Sequence, residues 1–206
     1  MKLTQTPIGD LVTKCSKWNP KKDGTGEFDY IDLSSVDKNE KRIATIERYP
    51  CADAPSRAKQ LVKTGDILVA TVRPNLNGVA LIEESQDGMT ASTGYCVLRP
   101  IPEKLNSNFL FHWVKTRGFV QRMIDVATGA NYPAVSDAKV KASKIPLPPL
   151  TEQKRIAKIL DAADALRAKR REAIAQLDTL LQSTFIDIFG DPIAEGWKMT
   201  TVENVV

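Results

Sequence analysis

Residues 151–189 contain neither glycine nor proline, and Ala, Leu, Lys, Arg, Gln and Glu dominate them. Such residues lose little freedom on entering a helix. One helix of roughly 57 Å follows, far beyond the usual three or four turns. Thr151 offers a side-chain oxygen as N-cap, and Glu152 places negative charge in the first turn. Pro146, Pro148 and Pro149 make the preceding segment extended, while Gly190 and Pro192 end the helix.

The apolar residues of this run recur seven apart. One stripe carries Ile159, Leu166, Ala173 and Leu180; the next carries Ile156, Ala163 and Leu177; a third carries Leu160, Ile174, Leu181 and Ile188. Such a face needs a long partner, which reads as one arm of a coiled coil. Arg167, Lys169, Arg170 and Arg171 crowd one turn at the middle, and the face is nearly palindromic about residue 170. Folded antiparallel there, Ile159 meets Leu180 or Leu181, Ala163 meets Leu177, Leu166 meets Ala173, and Arg167 approaches Glu172. Small faces large on both sides of the centre, as a self-complementary pair requires. The alternative is a helix lying on its own domain.

A chain of 206 residues leaves room for one domain beside this arm, and 42% hydrophobic residues can supply its core. Residues 1–150 hold 21 Lys or Arg against 16 Asp or Glu, a net +5, whereas residues 151–206 hold 8 against 9. The positive excess lies on the N-terminal part and hints weakly at a polyanionic partner. Cys15, Cys51 and Cys96 are odd in number and lack CxxC spacing, so they read as reduced, structural thiols. Without a signal peptide or an apolar run of membrane-spanning length, the cytoplasm is the expected compartment.

Along the chain, a polar loop with Lys21 and Lys22 precedes short half-buried strands at 28–36 and 42–49, and 54–60 reads as a turn or short helix. Residues 67–72 form the clearest strand, 73–78 a turn, and 79–82 and 93–98 further strands. Asn108 caps a helix over 109–114, continued after Gly118 over 119–124. A loop at 127–136 and a short basic segment at 137–141 lead to the proline run. The expected fold is α+β: a curved, mixed, barrel-like sheet with a small helical part over 1–148, then the long coiled-coil helix over 149–190. Residues 197–206 can be laid on 3–12, with Thr200 on Thr6 and Val205-Val206 on Leu11-Val12. The offset of 194 suits a duplicated domain-plus-arm unit, so 191–206 reads as the start of a second repeat or as a tail.

Catalytic constellations are absent from the sequence. It has no GxGxxG, no P-loop and no N/D-P-P-Y/F methyltransferase motif. His112, between Phe111 and Trp113, reads as a packed side chain rather than a base. Glu152-Gln153-Lys154 has the E-x-K spacing of a nuclease core but opens a helix, so no metal site is assigned.

Three passages resemble the specificity subunits of type I restriction–modification systems: TGDILVATVRP at 64–74, ASTGY at 91–95 and, most specifically, KIPLPPLTEQ at 144–153. The resemblance covers essentially the whole chain. Full-length members are similar to two such units in tandem, with a target recognition domain and a long helix in each. The helices pack antiparallel, hold the domains apart over a bipartite DNA site, and receive methyltransferase and restriction (motor-nuclease) subunits. This chain holds one domain and one helix, so the resemblance implies a half-subunit that pairs with a copy of itself and reads an interrupted palindrome. It implies a non-catalytic protein with no cofactor of its own. S-adenosylmethionine, ATP and Mg²⁺ would belong to the partner subunits.

For double-stranded DNA the candidate contacts are Lys21, Lys22, Arg57 and Lys59 as phosphate contacts, and Arg73, Asn75, Asn77 and Asn131 as base contacts, with Tyr132 beside them. Solvated charge is the alternative for the first four; turn chemistry is the alternative for Asn77, and core plugging for Tyr132. The Arg167–Arg171 cluster is open to DNA backbone, a methyltransferase subunit or plain solvation. The candidate helix interface is Ile156, Ile159, Leu160, Ala163, Leu166, Ala173, Ile174, Leu177, Leu180 and Leu181. Two rival functions remain at this point: a small DNA-modifying enzyme, and a coiled-coil interaction protein that does not read DNA.

Overall fold

The computed structural model describes residues 4–190. Two compact units divide the chain, the first running through Ile159 and the second beginning at Leu160. The first opens with β1 (Gln5–Pro7), a 3₁₀ turn at Ile8–Leu11, β2 (Val12–Thr13), β3 (Ser16–Lys17) and the one-turn helix α1 (Pro20–Asp23). It continues through β4 (Glu27–Ile31), a small hairpin of β5 (Val36–Asp37) and β6 (Arg42–Ile43), then β7 (Glu47–Pro50) and β8 (Ala58–Leu61). Next come β9 (Ile67–Ala70), β10 (Val79–Leu81), β11 (Thr90–Ser92) and β12 (Tyr95–Pro100). The helices α2 (Ser107–Val114), α3 (Arg117–Val126) and α4 (Asp137–Ala142) then lead to β13 (Lys144–Pro146) and α5 (Leu150–Phe189).

Two larger sheets organise these strands. One is antiparallel with the order β10-β9-β12-β2; the other, β3-β8-β11-β4-β7, is mixed because β11 runs parallel to β4. The continuous apolar run in β9 follows from burial of both its faces. Ile67 and Val69 enter one core with Cys96, Leu98, Leu110 and Phe119, while Leu68 enters another with Ile31, Val36, Ala80, Tyr95 and Val97. Period-two alternation thus sends neighbouring residues of one strand into different cores. A third, aromatic cluster joins Phe28, Tyr30, Cys51, Ala54 and Ala58 with Trp18 and Tyr49 on the mixed sheet.

The α+β class with mixed sheets matches expectation, but neither sheet closes, so the barrel-like part of that expectation is corrected. The consecutive strands β2 and β3 belong to different sheets and are two residues each, so the chain crosses between sheets instead of wrapping one upon itself. A register shift at Ala91/Ser92 against β8 supplies local curvature. Ala58, Lys59 and Gln60, expected in a turn or short helix, lie in β8, where Ala58 and Gln60 point inward. The Gln60 amide is satisfied there by donating to the Ser92 and Tyr95 carbonyls, both at 2.8 Å.

Three helix starts also move. The α2 cap is Asn106, whose side-chain oxygen accepts from the Phe109 N–H at 3.0 Å; Asn108 lies inside the helix. Gly118 is internal to α3, which Thr116 caps. In α5 the first turn bonds to the Pro149 carbonyl, accepting from Glu152 and Gln153 N–H, so Thr151 is already helical and not the N-cap. The proline run is extended as expected. Its Lys144–Pro146 part pairs with β1, and Pro148 is buried.

Within the first unit, Gln153 and Ala157 are buried, and Ile156 is half-buried against the core that holds Leu110 and Val140. From Leu160 onward the apolar residues of α5 are exposed, Leu166 at 69% and Leu181 at 72%. Gly190 ends the helix in the left-handed region at φ 78°, its N–H donating to the Ile186 carbonyl. The proposed repeat at 197–206, and Pro192, lie outside the described residues.

Candidate nucleic-acid interface

Past β9 the strand direction continues into a short bridge. Thr71 accepts from Val135 N–H at 2.8 Å, Val72 pairs with Ala134, and Arg73 N–H donates to the Pro133 carbonyl at 2.7 Å. The loop at 127–135 is thereby held against 71–73. Reciprocal Thr128 and Ala134 backbone bonds close it, and Gly129 (φ 101°) turns where a Cβ would meet the Tyr132 carbonyl oxygen at 2.8 Å. The pairing brings the Arg73 guanidinium over the Tyr132 ring, 4.6 Å from its centre. Arg73 has a left-handed backbone (φ 50°, ψ 60°), which costs roughly 1–2 kcal/mol for a residue with a Cβ and persists only because its neighbours hold it.

Both residues line a cleft of about 340 Å³ together with Asp32, Leu33, Ser34, Lys38 and Leu76. Tyr132 is 68% exposed, so it does not plug the core. Among the described residues the Arg73 guanidinium has no carboxylate partner, and the Asn75 and Asn131 side chains make no hydrogen bond. Asn77 differs. It is also left-handed (φ 47°), its carbonyl accepts from Lys41 Nζ at 2.6 Å, and its amide donates to the Lys115 carbonyl at 3.5 Å. Burial first, and Lys115 second, hold the Lys41 ammonium below the ordinary lysine range. Asn77 is therefore engaged in holding its own turn.

Sequence reasoning missed Asp32, Lys38 and Lys41. The sequence Asp32-Leu33-Ser34-Ser35 carried a turn signal, realised as a bond from Asp32 N–H to Ser35 Oγ at 2.9 Å. Its proximity to Arg73 had no local signature. Lys21 and Lys22 are exposed on α1, Arg57 is exposed at the entrance to β8, and Lys59 is half-buried within it. The structure groups Arg73, Asn75 and Tyr132 at one turn and loop; of the other four only Lys59 lies in the mixed sheet, with Arg57 just before its strand and Lys21 and Lys22 on α1.

Of the helix candidates, Ile156 packs on its own domain, while Ile159, Leu160, Ala163, Leu166, Ala173, Ile174, Leu177, Leu180 and Leu181 are exposed. Arg167 lies 3.5 Å from Asp164 one turn away. Glu152 is bound by Arg155, which holds its carboxyl below the usual range, and Gln153 is buried, so the E-x-K triplet is structural. The ring of His112 packs against Phe111. All three cysteines are free, and burial pushes the Cys96 thiol up to about 12, which leaves it protonated and inert. Among the described residues, no group of three His, Cys, Asp or Glu could hold a metal, and no helix is long and apolar enough to cross a membrane.

Residues 6–176 match the model of the type I restriction modification DNA specificity domain. The chain belongs to that family. It is 27% identical over 150 residues to the type I restriction enzyme EcoDI specificity subunit of Escherichia coli, covering 71% of this chain and 32% of that protein. Among solved structures it is similar to the HsdS subunit from Thermoanaerobacter tengcongensis, with a TM-score of 0.74 and 32% identity over 92% of this chain and 50% of that one. It is similar also to a chain from a structure of the assembly and conformational transition of the type I R-M system, with a TM-score of 0.77 and 32% identity over 97% and 53%. The chain thus spans about a third of that curated relative and half of each solved chain. The family is one of specificity, and the non-catalytic reading of the sequence stands with it.

With the family in hand, its three passages can be read physically, and each is a joint. In TGDIL, Gly65 turns at φ 86°, and buried Asp66 accepts a two-pronged ion pair from Arg99 at 2.8 and 2.7 Å. In ASTGY, the Gly94 carbonyl accepts from both Thr71 N–H and Oγ1, and a Cβ at Gly94 would meet Leu33 Cδ1 at 2.7 Å. In PPLTEQ, Gln153 accepts from Asn106 N–H and donates to the Lys104 and Pro148 carbonyls, which locks the start of α5 to the α2 cap. These joints of the family passages build the platform; the cleft takes Arg73 from the end of the first passage and Asp32, Lys38, Leu76 and Tyr132 from segments outside all three.

Proposed function

We propose that this chain reads one half of a bipartite duplex DNA site and positions separate catalytic subunits over it. The observation that carries the reading is the family match over residues 6–176, which takes in the cleft-bearing unit and about the first two-thirds of the long helix. Arg73, Asn75 and Asn131 are the base-reading candidates, with Tyr132 beside them, and Lys21, Lys22, Arg57 and Lys59 the phosphate contacts. The exposed face of α5 beyond Ile159 takes the matching face of a second copy, antiparallel, and so sets the spacing between two recognition units. Methyltransferase and restriction subunits would bring S-adenosylmethionine, ATP and Mg²⁺, and the assembly works in the cytoplasm.

The test is selection of bound sites from a random duplex library, followed by titration of the selected site between about 50 and 200 mM salt. The expected result is an interrupted palindrome whose affinity falls steeply as phosphate contacts are screened. An absence of any selected site, or an affinity indifferent to salt, would return the chain to a helical interaction protein that does not read DNA.

A further inference from the structure

We infer that Arg73 reads a guanine and that Tyr132 is the positioning residue that makes it able to do so. The inference rests on the DNA-reading role proposed above and goes on to name the base. Three features of the pair bear on it. Arg73 is held in a left-handed conformation by its N–H bond to Pro133 and by the 3₁₀ turn that its own carbonyl opens with Leu76 N–H. An uncommon backbone at an exposed cationic residue fixes where the side chain starts. The guanidinium carbon lies over the Tyr132 ring, and a cation–π contact of this kind uses none of the N–H donors of the fork. Tyr132 itself is mostly exposed, and its loop is closed by a double backbone bond beside a glycine turn, so the ring is delivered to the surface rather than to the core.

A planar donor fork with its edge free matches two acceptors set side by side. Guanine offers that pair as N7 and O6 in the major groove; adenine puts an amino donor in place of O6. Phosphate also offers paired acceptors, but the cleft walls carry both signs, with Asp32 facing the same space as Arg73 and Lys38. A carboxylate there repels a phosphate oxygen, whereas a base pair presents donors as well as acceptors. Asp32 is oriented by accepting the Tyr30 hydroxyl at 3.1 Å. Asn75, in the turn after Arg73, and Asn131, next to Tyr132, are exposed, and among the described residues their side chains make no hydrogen bond.

The experiment uses the full chain, duplexes drawn from the selected sites, and a random-sequence duplex as control. Each selected guanine is replaced in turn by 7-deazaguanine, which removes N7 alone. At one guanine the wild-type chain should lose about 5- to 150-fold in affinity, and Arg73→Ala should lose as much on the unmodified site while gaining no further loss from the analogue. Tyr132→Leu should follow Arg73→Ala, whereas Tyr132→Phe, which keeps the ring, should restore binding. Random duplex affinity should fall far less than affinity for the selected site in Arg73→Ala and Tyr132→Leu, and the melting temperature should be unchanged in all three variants. Insensitivity of every selected guanine to 7-deazaguanine overturns the inference while half-site reading survives. Equal losses on selected and random DNA overturn it in favour of a phosphate contact, and Tyr132→Leu binding like wild type removes Tyr132. Failure to select any site sinks the DNA-reading role itself.

Discussion

Leucine serves opposite ends in the two parts of this molecule. In the first unit Leu68, Leu98 and Leu110 are fully buried, each in a core built from several strands or helices. Beyond Ile159 the same residue type is 60–72% exposed at Leu166, Leu177, Leu180 and Leu181, joined by Phe185, Ile188 and Phe189 on the helix surface. Singly exposed leucines are ordinary, but a stripe recurring along one helix is not. The first unit satisfies its apolar surface alone. The second has the pattern of a surface made to be covered, and its helix is continuous because propensity, not packing, holds it.

That contrast can be broken most sharply by charging the stripe. Leu166→Glu with Leu177→Glu should convert the proposed dimer to monomers while the thermal unfolding of the first unit stays put; light scattering that still reports a dimer would remove the stripe from the association. Next in size, Leu98→Ala should destabilise the fold by about 2–5 kcal/mol through a cavity that neighbours cannot fill. Leu181→Ala, measured in urea on dilute protein, should move it by less than about 0.5 kcal/mol. Equal costs would mean that the two leucines share an environment. Smaller than the Leu98 effect is that of the joint: Gln153→Leu leaves the Asn106 N–H and two carbonyls without their partner, at about 1–3 kcal/mol for the buried group. Faster amide exchange confined to the start of α5 and the α2 cap would locate the loss; exchange unchanged at Asn106 would show that water replaces the glutamine.

Legibility followed the same divide. The helix, its end at Gly190 and the strand that starts at Ile67 could be read from the chain, because propensity, a positive-φ glycine and unbroken apolar character are local properties. Local reasoning failed where the deciding partner is distant. Asn106 rather than Asn108 caps α2, and Gln153, which accepts from the Asn106 backbone, is far along the chain. The segment carrying Ala58 and Gln60 became a strand because β11 and β3 were there to pair with it. Ile156 fits the heptad stripe as well as its neighbours do, yet lies against the domain core. Among the three asparagines proposed as base contacts, only contacts across the fold separate Asn77, bound to Lys41 and Lys115, from Asn75 and Asn131.

The amino-acid order by itself determined a long helix with an apolar stripe, a strand starting at Ile67 and three family passages, because each depends on residues close together in the chain. Only the tertiary structure decided that Arg73 stacks on Tyr132, that Asp32 shares their cleft, and that Gln153 locks the helix to its domain. Those pairings close loops of tens of residues, and the hydrogen bonds that select them, such as Arg73 to Pro133, exist only once the sheets have formed.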